Sequence, residues 1–599
     1  MNPPNTAVDT QDKVVLCCRH ALKDRKPLGV QLEGVELVVL LVDGRLSVLH
    51  GVCRHQWALM SNGHVEGDAL VCAAHGWRYD CFSGRKSGSS SVGLAKFEAW
   101  IEDDSVWIDR GQVLAWKREA TGRAPGSADG TLSIDALPTP PRIPVLGNAL
   151  QLKPNRIHQI LEDWCRKLGN RYRIRIPGTQ IVALADPEDV RTILRERPHQ
   201  FRRFSRMANA ISEIGVEGLF NAEGTDWFRQ RRMIVPGFST RRLRGFHDRL
   251  TNIVARLEKR WRRAAAAGRP VDMRADLMRF TVDVTTGLSF GYDTNTIEKE
   301  GDLLQDHLNR IFPALNDRIN APVPYWRYVS LPRDRAVAKA MEEVKGIIGD
   351  MVEKSRQRLG EAGPEATPEN VLEAMLLSQT EAVAQERLSD DHLVGNVLTL
   401  LLAGEDTTAN TLAWMLYLLL ENPAHLATLR EEVDDLYAES RTRPRIEDLA
   451  RLPFLDAVTQ ETMRLKSVAP MLFLEALQDT TVGDLDIPAG TSVWVLTRII
   501  GLSERYFPEP KAFKPERWLT ADAASYGELL FPFGYGPRFC PGRNLALLEI
   551  RALMTMLLRS FEIERVTEGE AVREHFAFTL MPSSLDLQLR PRNTRKNTK

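Results

Sequence analysis

The 599-residue sequence has no net charge, because 79 Lys and Arg residues balance 79 Asp and Glu residues. Without a basic excess, composition gives no reason to expect nucleic acid or an anionic membrane as a partner. Cysteine is scarce, with 7 residues at uneven spacing. Such a set does not resemble a secreted disulfide framework, so we expect a reducing compartment.

Long apolar stretches are missing as well. The first twelve residues contain no apolar segment, and the most apolar stretch, residues 396–420, is interrupted by Glu405 and Asp406. The sequence therefore predicts neither a signal peptide nor a membrane span. We expect a cytoplasmic protein with no membrane insertion and no nucleic acid partner.

The first region, residues 1–116, has the pattern of an all-β domain. It contains short apolar and alternating runs, such as VELVVLLV and RLSVLH on either side of Asp43-Gly44, a dipeptide typical of hairpin turns. Residues 117–137 are rich in small and charged residues and have little apolar periodicity. This composition predicts a flexible linker.

Helical periods dominate the second region, residues 138–591. The clearest predicted helix runs from Ser389, a candidate N-cap, to Glu421, with Pro423 just beyond it. At about 1.5 Å per residue this helix is long enough to cross a whole domain. The basic end of the chain, residues 592–599, is predicted to be disordered.

Two short loops of the first region each offer one thiolate and one imidazole. Cys53-Arg54-His55 is followed, after sixteen residues, by Cys72-Ala73-Ala74-His75. Four ligands of these types suit a 2Fe-2S cluster with two Cys on one iron and two His on the other. Structural zinc is the alternative, although zinc sites more often use Cys-x2-Cys pairs.

These loops resemble the Rieske family, and the resemblance covers about 100 residues. The sequence HGWRYD at the second loop is most similar to the Rieske domains of bacterial ring-hydroxylating oxygenases. The positions of the respiratory Rieske disulfide are Ala58 and Ala74 here, so we expect a potential near the low end of roughly −150 to +300 mV. The second, mononuclear iron site of those oxygenases is not expected, because no two His beyond the linker lie within five residues of each other. The resemblance implies four cluster ligands: Cys53, His55, Cys72 and His75.

The segment FPFGYGPRFCPGRNLALLE places Cys540 after a Gly-rich loop and before a predicted helix. A thiol there lies at the positive end of a helix dipole, which together with Arg538 favours the thiolate that ligates iron. The pattern Phe-x2-Gly-x-Arg-x-Cys-x-Gly, from Phe533 to Gly542, resembles the proximal haem loop of the cytochrome P-450 family. The resemblance implies a mainly α fold with small β-sheets, haem b bound through Cys540, and dioxygen as co-substrate.

The sequence AGEDTT, inside the long predicted helix, matches the oxygen-binding groove of that family. The resemblance implies that Ala403 and Gly404 leave room over the iron and that Asp406 and Thr407 act as acid and alcohol. A carboxylate and a hydroxyl are suited to relaying protons to bound dioxygen. A threonine that only bonds its own helix backbone is the simpler alternative.

Two further matches concern haem binding and the core around it. Trp227 and Arg231 resemble the pair that contacts a haem propionate in the family. A Glu-x2-Arg segment and PERW resemble the structural cluster on the haem side, with members Glu461, Arg464 and Arg517. Their role in the family is structural rather than catalytic.

The match departs from the family at two places. Many members carry a basic residue fifteen to twenty positions before the PAG-type turn. This chain has no basic residue there, and the segment instead contains Glu475 and Ala476. The usual His-Arg-Asp before the PERF region is replaced by residues 501–504. These departures leave the anchor of the second propionate unassigned.

Together the two regions predict a haem-thiolate monooxygenase that inserts one oxygen atom into an apolar small molecule, with the fused Rieske cluster as electron donor. No Gly-x-Gly-x2-Gly fingerprint occurs, so a separate NAD(P)H-dependent flavoprotein reductase is expected as a partner. Four acidic residues within 98–104 are expected to dock on six arginines within 229–244.

Two alternative functions remain at this stage. One is a haem-thiolate isomerase, dehydratase or peroxygenase with a regulatory or vestigial cluster, against which the retention of Asp406 and Thr407 argues. The other is a non-enzymatic redox or gas sensor, for which the sequence shows no output module. NADH-driven product formation would exclude the sensor.

Overall fold

The computed structural model describes residues 12–53, 59–73, 76–88, 93–120, 131–299, 303–321, 323–363, 366–381, 388–440, 444–566 and 572–592. The chain divides into two compact units, one made of the residues up to Thr131 together with Tyr535–Phe539, and the other of the remaining residues. We call residues 12–131 the small unit and residues 132–534 with 540–592 the large unit.

The small unit is made of short strands followed by one helix. They are β1 (Lys13–Cys18), β2 (Leu28–Leu32), β3 (Val35–Val42), β4 (Arg45–His50), β5 (His64–Glu66), β6 (Ala69–Val71), β7 (Arg78–Asp80), β8 (Lys96–Phe97), β9 (Ala99–Glu102), β10 (Ser105–Asp109) and α1 (Arg110–Ala120). The strands form three sheets, in the orders β1-β10-β9, β2-β3-β4-β8 and β5-β6-β7, with antiparallel neighbours throughout. The predicted β-rich first domain is confirmed.

Strand β3 separates two hydrophobic layers, because successive side chains of a strand point to opposite faces. Val38 packs in a layer that contains Cys53 and Cys72, which we call the cysteine layer. Its neighbour Val39 packs in the other layer, against residues of β1 and β10. The predicted hairpin is also present, since β3 and β4 pair across Asp43-Gly44 with both residues at positive φ.

The structure differs from the predicted linker of residues 117–137 at both ends. Helix α1 continues to Ala120, because RGQVLAWKREA is rich in good helix formers. At the other end, Leu132 and Ser133 already pair with a strand of the large unit. Residues 121–130 lie outside the described residues.

The large unit is mainly helical. Its helices are α2 (Ile157–Leu168), α3 (Pro187–Glu196), α4 (Ser205–Glu213), α5 (Gly224–Ile234), α6 (Thr240–Ala266), α7 (Met273–Phe290), α8 (Leu303–Asn320), α9 (Pro332–Ala362), α10 (Val371–Glu381), α11 (Asp390–Leu420), α12 (Pro423–Ser440), α13 (Ile446–Leu449), α14 (Pro453–Leu465), α15 (Arg498–Gly501), α16 (Ala523–Glu528) and α17 (Arg543–Ser560).

Small sheets lie beside these helices. Their strands are β11 (Leu132–Ser133), β12 (Arg171–Ile176), β13 (Thr179–Leu184), β14 (Phe201–Arg203), β15 (Val271–Asp272), β16 (Met471–Ala476), β17 (Thr480–Val482), β18 (Leu485–Ile487), β19 (Ser492–Leu496), β20 (Phe561–Arg565), β21 (Glu574–Phe576), β22 (Leu580–Pro582) and β23 (Asp586–Pro591). The largest sheet has the order β12-β13-β19-β16-β14. The predicted mainly α fold with small sheets is confirmed.

Helix α11 crosses the core of the large unit. Its predicted N-cap is confirmed, since the Ser389 side chain accepts from the backbone N–H of His392 at 3.2 Å. Much of its length is buried on all sides, and it packs closely on α7. Pro423 does not simply follow the end of this helix but begins α12.

The predicted disordered tail, residues 592–599, starts one residue too early. Arg592 pairs with Asp434 at 2.8 Å and with Glu562 at 3.1 Å, so it belongs to the folded core. Residues 593–599 lie outside the described residues. Within the described ranges, none of the helices combines the length and the hydropathy needed to span a membrane.

Candidate functional site

Cys540 lies between a tight loop and the first turn of α17. Its backbone N–H donates to the carbonyl oxygen of Phe533 at 2.9 Å, which closes the loop around a short 3-10 turn, Gly536–Arg538. Gly534 and Gly536 have φ angles of +75° and +69°, in the left-handed region where a side chain is strained. The turn itself therefore requires two of the glycines in the predicted haem loop.

The start of α17 stabilises a thiolate at Cys540. A Cβ at Gly542 would lie 3.8 Å from the Cys540 sulfur, so the two residues are in contact. Burial raises the pKa of the Cys540 thiol. The backbone N–H groups of Gly542 and Arg543 and the guanidinium of Arg231 act in the opposite direction. These groups favour the charged sulfur that a metal ligand must be.

Gly404 and Ala403 of α11 have different roles. A Cβ at Gly404 would meet the Thr285 hydroxyl of α7 at 2.3 Å, and Thr281 of α7 donates to the Glu405 carbonyl oxygen at 2.7 Å. Gly404 therefore allows two helices to approach closely. The expected roles of Gly404 and of the exposed Ala403 beside an iron stay predictions.

The predicted acid and alcohol follow on the same helix. Burial raises the pKa of Asp406, and the charge of Arg274 partly opposes the shift. The Thr407 hydroxyl donates to the Ala403 carbonyl oxygen at 2.8 Å, which is the intrahelical bond typical of threonine. The oxygen keeps lone pairs that can accept from another donor. The geometry thus places a readily protonated carboxyl beside a fixed hydroxyl.

Helix α5 brings Trp227 and Arg231 together, as expected for a propionate pair. Both side chains are buried, and the Arg231 guanidinium carbon lies 5.4 Å from the centre of the Trp227 ring. Burial lowers the pKa of Arg231 to about 10. A guanidinium held at this depth suits an anionic group such as a propionate.

The predicted structural cluster is fully assembled. Arg464 forms two bonds with the Glu461 carboxylate, at 2.7 and 2.8 Å, and Arg517 adds a third at 3.1 Å. Trp518 also donates to this carboxylate, at 2.9 Å. The Glu461 and Arg464 side chains are completely buried, so each depends on the other for charge compensation.

The two departures from the family pattern have local explanations. Glu475 accepts from Arg202 and from the Ser205 hydroxyl, so its charge is compensated within the sheet region. A Cβ at Gly501 would lie 2.8 Å from Cγ of Arg464, so the glycine makes room for that arginine. Neither replacement disturbs the loop of Cys540.

The predicted cluster ligands of the small unit are only partly described. Cys53 and Cys72 are both buried in the cysteine layer, although they come from separate loops. His55 and His75 lie outside the described residues. The loop after Cys72 is closed by backbone bonds, from Cys72 N to Trp77 O at 2.8 Å and from Gly76 N to Cys72 O at 2.9 Å.

Tyr79 is a residue of this site that the sequence analysis missed. Its hydroxyl lies 3.2 Å from the Cys53 sulfur, and the side chain is completely buried. A thiolate cannot donate, so in the ligated state the tyrosine hydroxyl is the donor. The signal was present in HGWRYD, but a sequence cannot show which atom the tyrosine reaches.

The acidic residues expected to dock lie away from the cysteines. Strand β9 and its turn carry most of them, and sheet β1-β10-β9 packs on the layer of Val39, across the sheet from the cysteine layer. On the other side of the expected contact, Arg231 is buried rather than presented at a surface. These charges therefore do not surround the cysteine site, and the docking of the acidic residues on the arginines stays a prediction.

A cysteine at the start of one helix, together with an acid and an alcohol in the middle of a long helix, is the set of features that marks a haem-thiolate protein. The profile named "Cytochrome P450" matches residues 137–589, and the profile named "Rieske [2Fe-2S] domain" matches residues 12–97. The chain belongs to the cytochrome P450 family and carries a Rieske domain before its haem domain.

Known relatives are distant. The bifunctional cytochrome P450/NADPH–P450 reductase 2 of Bacillus subtilis is 25% identical over 77% of this chain, which spans 43% of that protein. The mitochondrial 1,25-dihydroxyvitamin D(3) 24-hydroxylase of Rattus norvegicus is 26% identical over 78% of this chain and 91% of its own length. The crystal structure of the cytochrome P450DA heme domain has a TM-score of 0.68 at 24% identity, and covers 77% of this chain and 98% of its own.

Family membership implies a haem iron with dioxygen as co-substrate, and the Rieske domain implies a 2Fe-2S cluster. The residues present fit both groups. Backbone N–H groups beside Cys540 favour its thiolate form. The Cys540 side chain is half-buried, so part of its surface is open to a ligand. Cys53 and Cys72 are unoxidised and buried side by side in one layer.

Proposed function

We propose that this chain is a monooxygenase that takes its electrons from its own Rieske cluster and inserts one oxygen atom into an apolar small molecule. The reaction consumes a C–H bond, dioxygen, two electrons and two protons, and yields an alcohol and water. The observation that carries the proposal is the half-buried Asp406 with its raised pKa, followed by Thr407, one helical turn after the exposed Ala403. An isomerase or a sensor has no need of a proton relay there.

Cys540 supplies the sulfur ligand, and Trp227 with Arg231 holds one propionate. When bound, the haem supplies the activation of dioxygen. The N–H groups of Gly542 and Arg543 and the charge of Arg231 lower the pKa of the Cys540 thiol against the larger effect of burial, so they favour the charged sulfur. These residues therefore bind and orient the cofactor rather than take part in proton transfer.

Asp406 and Thr407 manage the protons. Because burial raises the pKa of Asp406, its carboxyl holds a proton more readily than an exposed aspartate does. Thr407 is fixed by its bond to the Ala403 carbonyl oxygen, so its hydroxyl oxygen faces one direction only. Asp406 delivers the proton, and Thr407 positions the acceptor of that proton.

Electrons enter through the small unit. A Rieske cluster on Cys53, His55, Cys72 and His75 carries one electron at a time, as a haem iron requires. The ten residues 121–130 join the two units and keep the carrier at high effective concentration. A separate NAD(P)H-dependent flavoprotein reductase recharges the cluster.

The test removes the cluster from the full-length chain. Cys72→Ser should lower turnover with NAD(P)H and a reductase by about a hundredfold or more, because the serine hydroxyl does not replace a thiolate on iron. Peroxide supplies oxygen and electrons together, so peroxide-driven product formation should remain.

Cys81→Ala is the matched control, because Cys81 is a buried cysteine of the same layer without a ligand role. It should keep both the cluster and the turnover. If Cys72→Ser turns over at the full rate with the same reductase, the cluster is not the donor, and the vestigial or sensor interpretation is favoured.

A further inference from the structure

The anchor of the second propionate is missing from the strand where the family carries it. Strand β14 pairs with β16, with Arg202 opposite Glu475 and Arg203 opposite Leu474. Because neighbouring side chains of a strand point to opposite faces, Arg202 bonds Glu475 whereas Arg203 leaves on the other side. Strand β16 thus carries a carboxylate whose partner is Arg202, and Arg203 is the cation of β14 that this carboxylate does not bind.

Arg203 lies at the start of the helix that bears the other propionate pair. Its backbone N–H donates to the Glu223 carboxylate at 2.9 Å, and Glu223 is the N-cap residue of α5. In the same segment, the His199 ring lies 5.6 Å from the ring of Phe228, next to Trp227. Residues 197–203 thus run along the first turns of α5.

Two guanidinium groups of this segment, a buried one and a half-buried one, have too few anions beside them. Arg197 is only 4% exposed, and its Nε and Nη2 atoms have no partner among the described residues. Arg203 donates through Nε to the Phe220 carbonyl oxygen at 3.1 Å, and its guanidinium lies 3.6 Å from the centre of the Phe220 ring. No bond from its terminal nitrogens to an oxygen is present in the described ranges.

The electrostatic cost of this arrangement is visible in both side chains. Burial lowers the pKa of Arg197, and it lowers the pKa of Arg203 to about 9. The charge of Arg197 also contributes to the lowered pKa of Arg203. The carboxylate of Glu223 acts in the opposite direction and raises the pKa of both arginines. Two cations at the edge of the core, next to one carboxylate, lack one negative charge, and an uncompensated charge away from water is unfavourable.

We propose that Arg197 and Arg203 together bind the second haem propionate and replace the cation that β16 lacks. The inference rests on the proposed haem site, with Trp227 and Arg231 holding the first propionate. A carboxylate supplies the missing charge and accepts from the free nitrogens of both side chains. Arg197 is the half of this clamp whose Nε and Nη2 atoms have no other partner in the described structure.

The test uses the full-length holoprotein with Arg197→Met and Arg203→Met, which keep the side-chain length and remove the charge. Transfer of haem to apomyoglobin should become about tenfold faster in each, since a charge-assisted bond is lost. The double variant should show less than the product of the two effects, because both arginines share one carboxylate.

A second readout separates charge compensation from simple packing. Without one arginine, the propionate becomes easier to protonate, so the haem potential should fall at neutral pH and rise again as the pH is lowered. Arg197→Lys keeps the cation and should keep the potential. Arg202→Gln, on the opposite face of β14, is the control and should change neither haem transfer nor potential.

Two results would overturn the clamp. One is haem transfer and potential in Arg197→Met within twofold of the Arg202→Gln control. The other is a potential in a folded Arg197→Lys shifted as far as in Arg197→Met. In each variant the thiolate-type Soret band under carbon monoxide is recorded first. Absence of that band in the unmodified protein contradicts the proposed function, whereas its presence without an arginine effect contradicts only the clamp.

Discussion

The two units stabilise a sulfur ligand in different ways. In the small unit, Cys53 is approached by a side chain, the hydroxyl of Tyr79. In the large unit, Cys540 is approached by the backbone N–H groups of Gly542 and Arg543 at the start of α17. Both arrangements aim donors at a sulfur, but only the first depends on the identity of one residue.

This difference has a consequence for how each centre can be changed. A substitution can delete the Tyr79 donor and leave the strand intact, so the cluster potential can be adjusted by one side chain. Backbone donors persist whatever side chains they carry, so the thiolate of Cys540 is protected as long as the helix begins where it does. The four predictions that follow test this contrast, from the largest effect to the smallest.

Cys540→Ser should abolish the thiolate-type Soret band under carbon monoxide and all turnover, because only an anionic sulfur donates enough charge to the iron. The Rieske signal in electron paramagnetic resonance should persist, since it comes from the small unit. Cys165→Ser, a buried cysteine of α2, is the control and should keep the band. An unchanged band in Cys540→Ser refutes the ligand assignment.

Thr407→Ala should keep haem and substrate binding but lower product formation by about a hundredfold, with the electrons appearing as peroxide. Proton delivery is disturbed, whereas electron supply from the small unit is not. Thr411→Ala, one turn further along α11, is the matched control. Equal yields of product per NAD(P)H in Thr407→Ala and Thr411→Ala would move the proton relay elsewhere.

Glu549→Gln should change the pH dependence of stability. Burial raises the pKa of Glu549 to about 8, and a hydrogen bond with Thr408 only partly offsets this. The unfolded carboxyl titrates near 4.5, so the protein loses stability as the pH rises from there through about 8. The variant, which cannot ionise, should gain in melting temperature over the original protein as the pH is raised from 5 to 8.

The exposed Glu564→Gln is the control for this experiment, because its carboxylate is solvated in both states. It should follow the original protein at every pH. Melting curves of Glu549→Gln that also follow the original protein would show that Glu549 stays near its ordinary pKa in the folded state.

Tyr79→Phe should lower the potential of the cluster by about 40 mV, which corresponds to one hydrogen bond of about 1 kcal/mol. The hydroxyl donor stabilises the reduced cluster, which is the more negative form. Its loss therefore favours the oxidised cluster. Tyr172→Phe in the large unit removes a hydroxyl from the Leu161 carbonyl oxygen and should leave this potential unchanged. A potential that does not move in Tyr79→Phe would show that the bond is absent in the loaded cluster.

Much of the architecture was predictable because it is encoded locally. The hairpin at Asp43-Gly44 and the N-cap Ser389 depend on residues within a few positions of each other. The second end of the linker was misplaced for the opposite reason, since Leu132 is ordered by pairing with Leu485, far away in the chain. Composition alone describes such a residue as part of a linker.

The same distinction between local sequence and long-range contacts applies to the candidate site. Its motifs are short, so the sequence by itself determined the two cofactor classes and the cysteines predicted to hold them. Only the tertiary structure decided that Gly404 is small to fit Thr285, that Tyr79 reaches Cys53, and that Arg197 and Arg203 meet beside α5. Each of these facts is a contact between elements, and a contact depends on how helices and strands pack, which no spacing along the chain records.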